Sequence, residues 1–275
     1  MTAQPNLPFT VSVHRGPRVI RNSLAAVGLL PAARRLKRGW LRLADPRQLP
    51  ELDGERIAFT HLQRHGLLDA VTGGRVLEIG PKHGLDSRLL AALAPSELVL
   101  VDLPEKTPSI RSWLGEVDAL CPARYEEGNI LYMPAAARES LGLFDVVWCL
   151  GVVYHNVEQL RLLRRLYDLC ADGGLVVVES STARGRRARK ANVVQLHWPH
   201  PFGGVPTITH LPSRRALASW LEMVGFVDVE IRDVYSRQVS KNRALLTARK
   251  AAGAPGLVSY GHSGLNPAYL PGEAT

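Results

Sequence analysis

Cysteine, aromatic side chains and long apolar runs are all scarce in this chain of 275 residues. Its three cysteines, Cys121, Cys149 and Cys170, have no paired spacing. Two of them sit in apolar runs that read as core, which argues against a disulfide framework and fits a reducing, cytoplasmic setting. No stretch nears the eighteen or so consecutive apolar residues of a membrane span, and the first residues lack a charged segment followed by an apolar one and a cleavage site. A protein neither secreted nor transmembrane is expected. Negative charge is the minority: 25 Asp and Glu against 34 Lys and Arg give a net charge of +9. That balance suits an anionic partner such as nucleic acid, a phospholipid surface or a phosphorylated substrate. The basic residues concentrate in "RVIRNS" and "ARRLKRGWLR" near the start and in "RGRRARK" at 184–190.

What is present is enough apolar sequence, 46%, for one substantial core. Residues 1–15 have no period. From Arg18 to Leu43, Leu, Ala and Arg recur at roughly helical spacing broken by Gly28 and Pro31, which predicts two short basic helices. "DPRQLPELDGE" reads as a connector, and a helix follows from about Glu55 to Gly66. Strands are predicted at 75–79, 97–102, 123–127, 143–150 and 174–179, with helices near 85–94, 109–119, 135–140 and 157–171. Such alternation predicts a doubly wound α/β domain, its mostly parallel sheet covered on both faces. "PSRRALASWLEMVGF" then places Pro and Ser ahead of a helical apolar period and a Gly-Phe stop. Strands at 226–234 and 242–249, separated by "YSRQVSKN", predict a hairpin completing a seven-stranded sheet. The expected organisation is a basic helical segment over 1–55 serving as an N-terminal lid, the α/β domain over 56–250 and an irregular tail over 251–275.

The stretch "VLEIGPKHGLDSRLL", residues 76–90, reads as a buried strand, a glycine turn and a helix. At such a junction backbone N–H groups point outward and glycines let a ligand approach. Gly80 and Gly84 hold the outer positions of a Glu-x-Gly-x-Gly-x-Gly pattern that begins at Glu78, and Lys82 takes the middle one. A lysine there lacks glycine's freedom at positive φ. Its ammonium either points into solvent or reaches a carboxylate of a cofactor or substrate. Asp102 ends the next apolar strand, "ELVLVD", some twenty residues on. There a carboxylate accepts both hydroxyl hydrogens of a ribose, or stands as a solvated strand-end acid.

With "VLEIGPKHG", "LVLVD", "EEGNI", "FDVVWCLGVVYH" and "LCADGGLVVVES" in that order, residues 60–250 resemble the class I S-adenosylmethionine-dependent methyltransferases. The resemblance implies a Rossmann-like fold in which Glu78, Gly80 and Gly84 shape the methionine end of the cofactor pocket, with Lys82 beside them. Asp102 would hold the ribose. Asn129, where the family usually has an aspartate, and Ile130 would flank the adenine, and Leu150 with Gly151 would lie under the sulfonium. "CLGVVYHNVEQL", "PSRRALASWLEMVGFVDVEIRDV" and "NRALLTARK" further resemble the tRNA wobble-uridine carboxymethyltransferases, which use a carboxylated S-adenosylmethionine. That likeness implies that Tyr154 and Arg243 bind the additional carboxylate. The family's lysine from an amino-terminal helical domain has no aligned counterpart in residues 1–55.

Once a sulfonium donor is held in line, orientation within about 3 to 3.5 Å of the nucleophile supplies most of the acceleration. A base helps only if the acceptor is a hydroxyl. His155, following the fourth strand, is the candidate base or else a structural histidine; Tyr154 positions substrate or packs. "NVVQLHWPHPFGGVPTITHLPS", residues 192–213, concentrates His197, Trp198, His200 and His210 with Pro and Gly and reads as a shaped lid over an acceptor pocket. His197 and His200 have no helical register and no nearby cysteine or carboxylate pair, so no metal site is expected. The first functional expectation is transfer of a methyl group from S-adenosylmethionine to O or N of a small-molecule or glycan acceptor. A tRNA acceptor, methylated or carboxymethylated, would use the basic patches, and a cofactor-binding protein without turnover is a third reading.

Overall fold

The computed structural model describes residues 57–232 and 242–252. The expected amino-terminal lid, the connector, the tail beyond 252 and most of "YSRQVSKN" lie outside the described residues. Nine strands are described: β1 Arg75–Ile79, β2 Glu97–Asp102, β3 Ala123–Glu127, β4 Phe144–Leu150, β5 Cys170–Ser181, β6 Val194–Leu196, β7 His210–Pro212, β8 Phe226–Arg232 and β9 Arg243–Lys250. The helices are α1 Ile57–Arg64, α2 Leu85–Ala91, α3 Thr107–Asp118, α4 Ala135–Leu141, α5 Gln159–Leu169, α6 Arg186–Lys190 and α7 Arg214–Met223.

Seven strands form one sheet in the order β3-β2-β1-β4-β5-β9-β8. The first five are parallel, while β9 runs antiparallel to both β5 and β8. Burial explains the order. β1 and β2 are apolar almost throughout and buried on both faces, as central parallel strands are, whereas β3 ("ARYEE") carries no buried position and closes one edge. At the other edge the final hairpin is folded inward: the "ALLTA" of β9 is wholly buried, while β8 buries one residue and takes the edge. Helix α7 starts where the sequence predicts, with the Ser213 hydroxyl accepting the Ala216 N–H at 3.0 Å. Helix α1 joins the core through Phe59, whose ring meets Trp148 of β4 edge-on at 6.1 Å.

Two features of the fold matter for the site. The segment read from the sequence as a shaped lid contains a small antiparallel pair, β6 with β7, between β5 and α7. The strand order also reverses between β1 and β4, which opens a crevice at their carboxyl ends, the place where α/β sheets bind ligands.

Candidate active site

The turn after β1 is built on close contacts. Gly84 has φ +69°, and a Cβ there would lie 2.5–2.7 Å from the Trp113 ring; a Cβ on Gly80 would lie 2.6 Å from Val152. Lys82 adopts a left-handed φ of 50°, so the position where glycine is expected keeps the glycine conformation with a side chain on it. Its backbone N–H points to Asp102 Oδ2 at 3.4 Å, and the Leu103 N–H donates to Oδ1 at 2.8 Å. Burial raises the Asp102 carboxyl above its ordinary value against the pull of these two N–H groups. A carboxylate offers about four acceptor sites, and the two backbone N–H groups take two, which leaves acceptors suited to a vicinal diol.

Glu78 lies beneath the turn. It is 3% exposed, and its Oε2 accepts the Ser87 hydroxyl of α2 at 2.6 Å. Burial first, then the nearby Asp86 charge, push its carboxyl up to about 8. The side chain therefore locks β1 to α2 beneath the turn. Asn129 Oδ1 accepts the Leu131 N–H at 3.0 Å and shapes its own loop, and Ile130 is buried in the main core cluster. A cavity of about 300 Å³ opens beside Asn129, lined also by Glu127, Gly128, Tyr132 and Met133.

The end of β4 brings together the second group. The Gly151 N–H donates to the Glu179 carbonyl at 3.0 Å and continues the β4–β5 pairing that ends at Leu150. A Cβ on Gly151 would sit 3.9 Å from Arg243 Nη2 and 4.0 Å from the Tyr154 hydroxyl. The Arg243 guanidinium lies 5.7 Å from the Tyr154 ring centroid and makes a two-point ion pair with Glu179, a carboxylate buried at the end of β5. Burial raises the Glu179 carboxyl, opposed by Arg243. Sequence reasoning missed Glu179, although an acid closing "LVVVE" carries the same signal as Asp102 closing "ELVLVD".

His155 stacks at 4.4 Å on Tyr154, and its Nδ1 lies 3.0 Å from Thr207 Oγ1, a contact spanning 52 positions that ties the 192–213 excursion to the site. Partial burial first, then the positive charges of Lys82, Arg243 and Lys106, hold its imidazole below 6.5. Lys82 thus contributes to a positive mouth. Two of the other histidines make contacts within or beside the excursion. His197 packs edge-on against Phe202 at 5.3 Å, and the His210 carbonyl accepts the Gln159 side-chain N–H at 3.0 Å. Trp198 and His200 are exposed. Among the described residues no group of three or more His, Cys, Asp or Glu could hold a metal ion, and no helix is long and apolar enough to cross a membrane.

A family described as a methyltransferase domain matches residues 33–231. The tRNA U34 carboxymethyltransferase of Psychrobacter arcticus is 29% identical over 181 residues, covering 64% of this chain and 50% of that protein. The one from Aliivibrio fischeri is 30% identical over 174 residues, 63% and 48% of the two chains. The chain thus spans about half the length of the curated relatives it matches. Among solved structures, the N-terminal domain of EvdMO1 (TM-score 0.54, 20% identity, 72% of this chain and 84% of that one) and the CurJ carbon methyltransferase (0.54, 18%, 71% and 54%) share the fold.

Proposed function

This chain belongs to the methyltransferase-domain family, and from that premise we propose that it uses a carboxylated S-adenosylmethionine to carboxymethylate a uridine base in tRNA. The observation that carries the reading is the convergence of Arg243 Nη2 and the Tyr154 hydroxyl at Gly151, each about 4 Å from where a Cβ on that glycine would lie. A donor carboxylate beside the sulfonium would find there a guanidinium and a phenolic O–H, the groups that bind carboxylates well. The buried Glu179 holds the guanidinium in place, and Lys82 and Lys106 add positive charge to the mouth. Asp102 suits the ribose, and the glycine turn suits the methionine end.

The donor supplies a carbon already activated by the sulfonium. The protein's share is orientation and proton removal. His155, held below 6.5 and so neutral at pH 7, is the group that takes the proton when the acceptor atom is a hydroxyl oxygen. In the tautomer whose Nδ1–H donates to Thr207 Oγ1, Nε2 carries the free lone pair that base catalysis needs. The names of the matched relatives support a tRNA acceptor. Transfer to a small-molecule or glycan acceptor, the first expectation from the sequence, has no comparable support.

The test is product analysis. The protein is incubated with tRNA carrying a hydroxylated uridine base, whose O–H gives its proton to His155 as the oxygen displaces the donor's thioether, and with either the carboxylated or the ordinary donor, and the nucleosides are separated by mass. Carboxymethylated uridine from the carboxylated donor is expected. Methylated uridine alone, or no tRNA product beside methylation of small acceptors, would overturn the reading.

A further inference from the structure

Between Glu179 and Glu222 the chain has no acidic residue, while seven Lys and Arg fall in that interval. The fold gathers this segment into one feature. Arg184 leaves β5 with its backbone N–H donating to Gln195 Oε1 of β6 at 2.9 Å and its guanidinium 4.4 Å from the Phe202 ring centroid. Helix α6 follows and exposes Arg186, Arg187 and Lys190. The Ser213 hydroxyl, which also caps α7, donates to the Ala191 carbonyl just past α6 at 2.7 Å, so the basic helix sits against the start of α7, where Arg215 is exposed. Just past β6, Trp198 is 75% exposed, and Leu196 within it is 63% exposed. The far end of the same excursion reaches His155 through Thr207.

A cationic helix and an exposed indole on one excursion are the two elements that grip single-stranded nucleic acid: cations follow the phosphates, and a flat ring accepts an unstacked base. The absence of any carboxylate along the segment removes the charge that would repel a phosphate backbone. We infer that the excursion between β5 and α7 is an RNA-docking surface, on which Arg186, Arg187 and Lys190 hold phosphates and a loop base stacks on Trp198 while the neighbouring nucleotide enters the site at His155. This rests on the proposed tRNA reading and names the part of the RNA that is gripped: an unpaired loop, since a base held inside a duplex offers no face to the indole.

The probe is a short fluorescein-labelled hairpin RNA with a uridine-containing single-stranded loop, titrated with the full chain across a range of salt concentrations. Replacing Arg186, Arg187 and Lys190 by Ala should lower the salt slope by about 2, at about 0.7 per phosphate contact on a single strand. Trp198→Ala should weaken binding about 5- to 100-fold with the salt slope unchanged, and should lose its effect on a fully paired RNA. Calorimetric binding of the cofactor at wild-type strength in both variants shows that they are folded. RNA affinity in both variants equal to wild type overturns the surface. If wild type still carboxymethylates tRNA in that case, the functional reading survives without it. Trp198-dependent binding to phosphatidylglycerol vesicles with no RNA binding also overturns it and assigns the surface to a membrane. Loop-RNA binding through these residues without any tRNA product would uphold the surface and sink the functional reading.

Discussion

Replacing Glu78 by Gln should leave the protein nearly unchanged in acid and stabilise it strongly in alkali. The carboxyl is buried, faces Asp86 and Asp102, and has the Ser87 hydroxyl as its hydrogen-bond donor. Its pKa is 4.5 in an ordinary setting and about 8 in the fold. Below 4.5 both folded and unfolded chains carry the proton, and it contributes no pH dependence. Between 4.5 and 8 the unfolded chain releases the proton while the folded chain keeps it, so stability falls as pH rises; above 8 the loss is complete. At about 1.4 kcal/mol per pKa unit, the loss is roughly 1 kcal/mol at pH 5 and about 4 to 5 kcal/mol at pH 9. Gln mimics the protonated acid, keeps the Ser87 bond and has nothing to ionise. Urea unfolding of wild type and Glu78→Gln, followed by tryptophan fluorescence at the two pH values, should show the variant's advantage growing by several kcal/mol. An equal difference at both pH values, or a variant weaker than wild type at pH 9, would show that the buried Glu78 carboxyl does not keep its proton into alkali.

Asp102→Ala should abolish cofactor binding measured by calorimetry, whereas His155→Ala should bind cofactor normally and turn over slowly; equal loss of binding in both would show the histidine to be misassigned. Because partial burial, with the surrounding positive charges behind it, holds His155 below 6.5, kcat should be level through neutrality and fall only as pH drops below that value, and a limb centred above 7 would contradict its role as base. Gly84→Ala should lower Tm and cofactor affinity together, since the new methyl meets Trp113 in a left-handed backbone, at a cost of about 1 to 3 kcal/mol; an unchanged Tm would show that the turn yields.

The central strands were legible because nearly every residue in them is apolar and buried. "RVLEI" and "ELVLVD" read as buried β-structure from their residues alone, and both form within the predicted bounds. The insertion of β9 between β5 and β8 follows from comparing the apolar "ALLTA" with the mixed "FVDVEIR", a contrast present in the sequence and left unused. The β6–β7 pair was not legible: "VQL" and "HLP" are too short to show a period. The turn geometry at Gly80 and Gly84 and the strand-end placement of Asp102 were readable from residue type and position. Contacts between distant elements were not, because no local pattern encodes them: Thr207 against His155, Ser87 beneath Glu78, and Glu179 gripping Arg243 each join separate segments.

The most direct test of the account is the binding preference between the two donors. Calorimetric titration with carboxylated and ordinary S-adenosylmethionine should be run on wild type and on Tyr154→Phe, which removes one hydroxyl. Arg243→Ala is the poorer choice, because it would strand the buried Glu179 carboxylate. A carboxylate bonded by Arg243 and Tyr154 should give a preference of about 10- to 100-fold for the carboxylated donor, most of it lost in Tyr154→Phe with ordinary donor binding unaffected. Equal affinity for the two donors in wild type, or a preference untouched by the loss of the hydroxyl, would contradict the claim that this corner of the site binds a carboxylate.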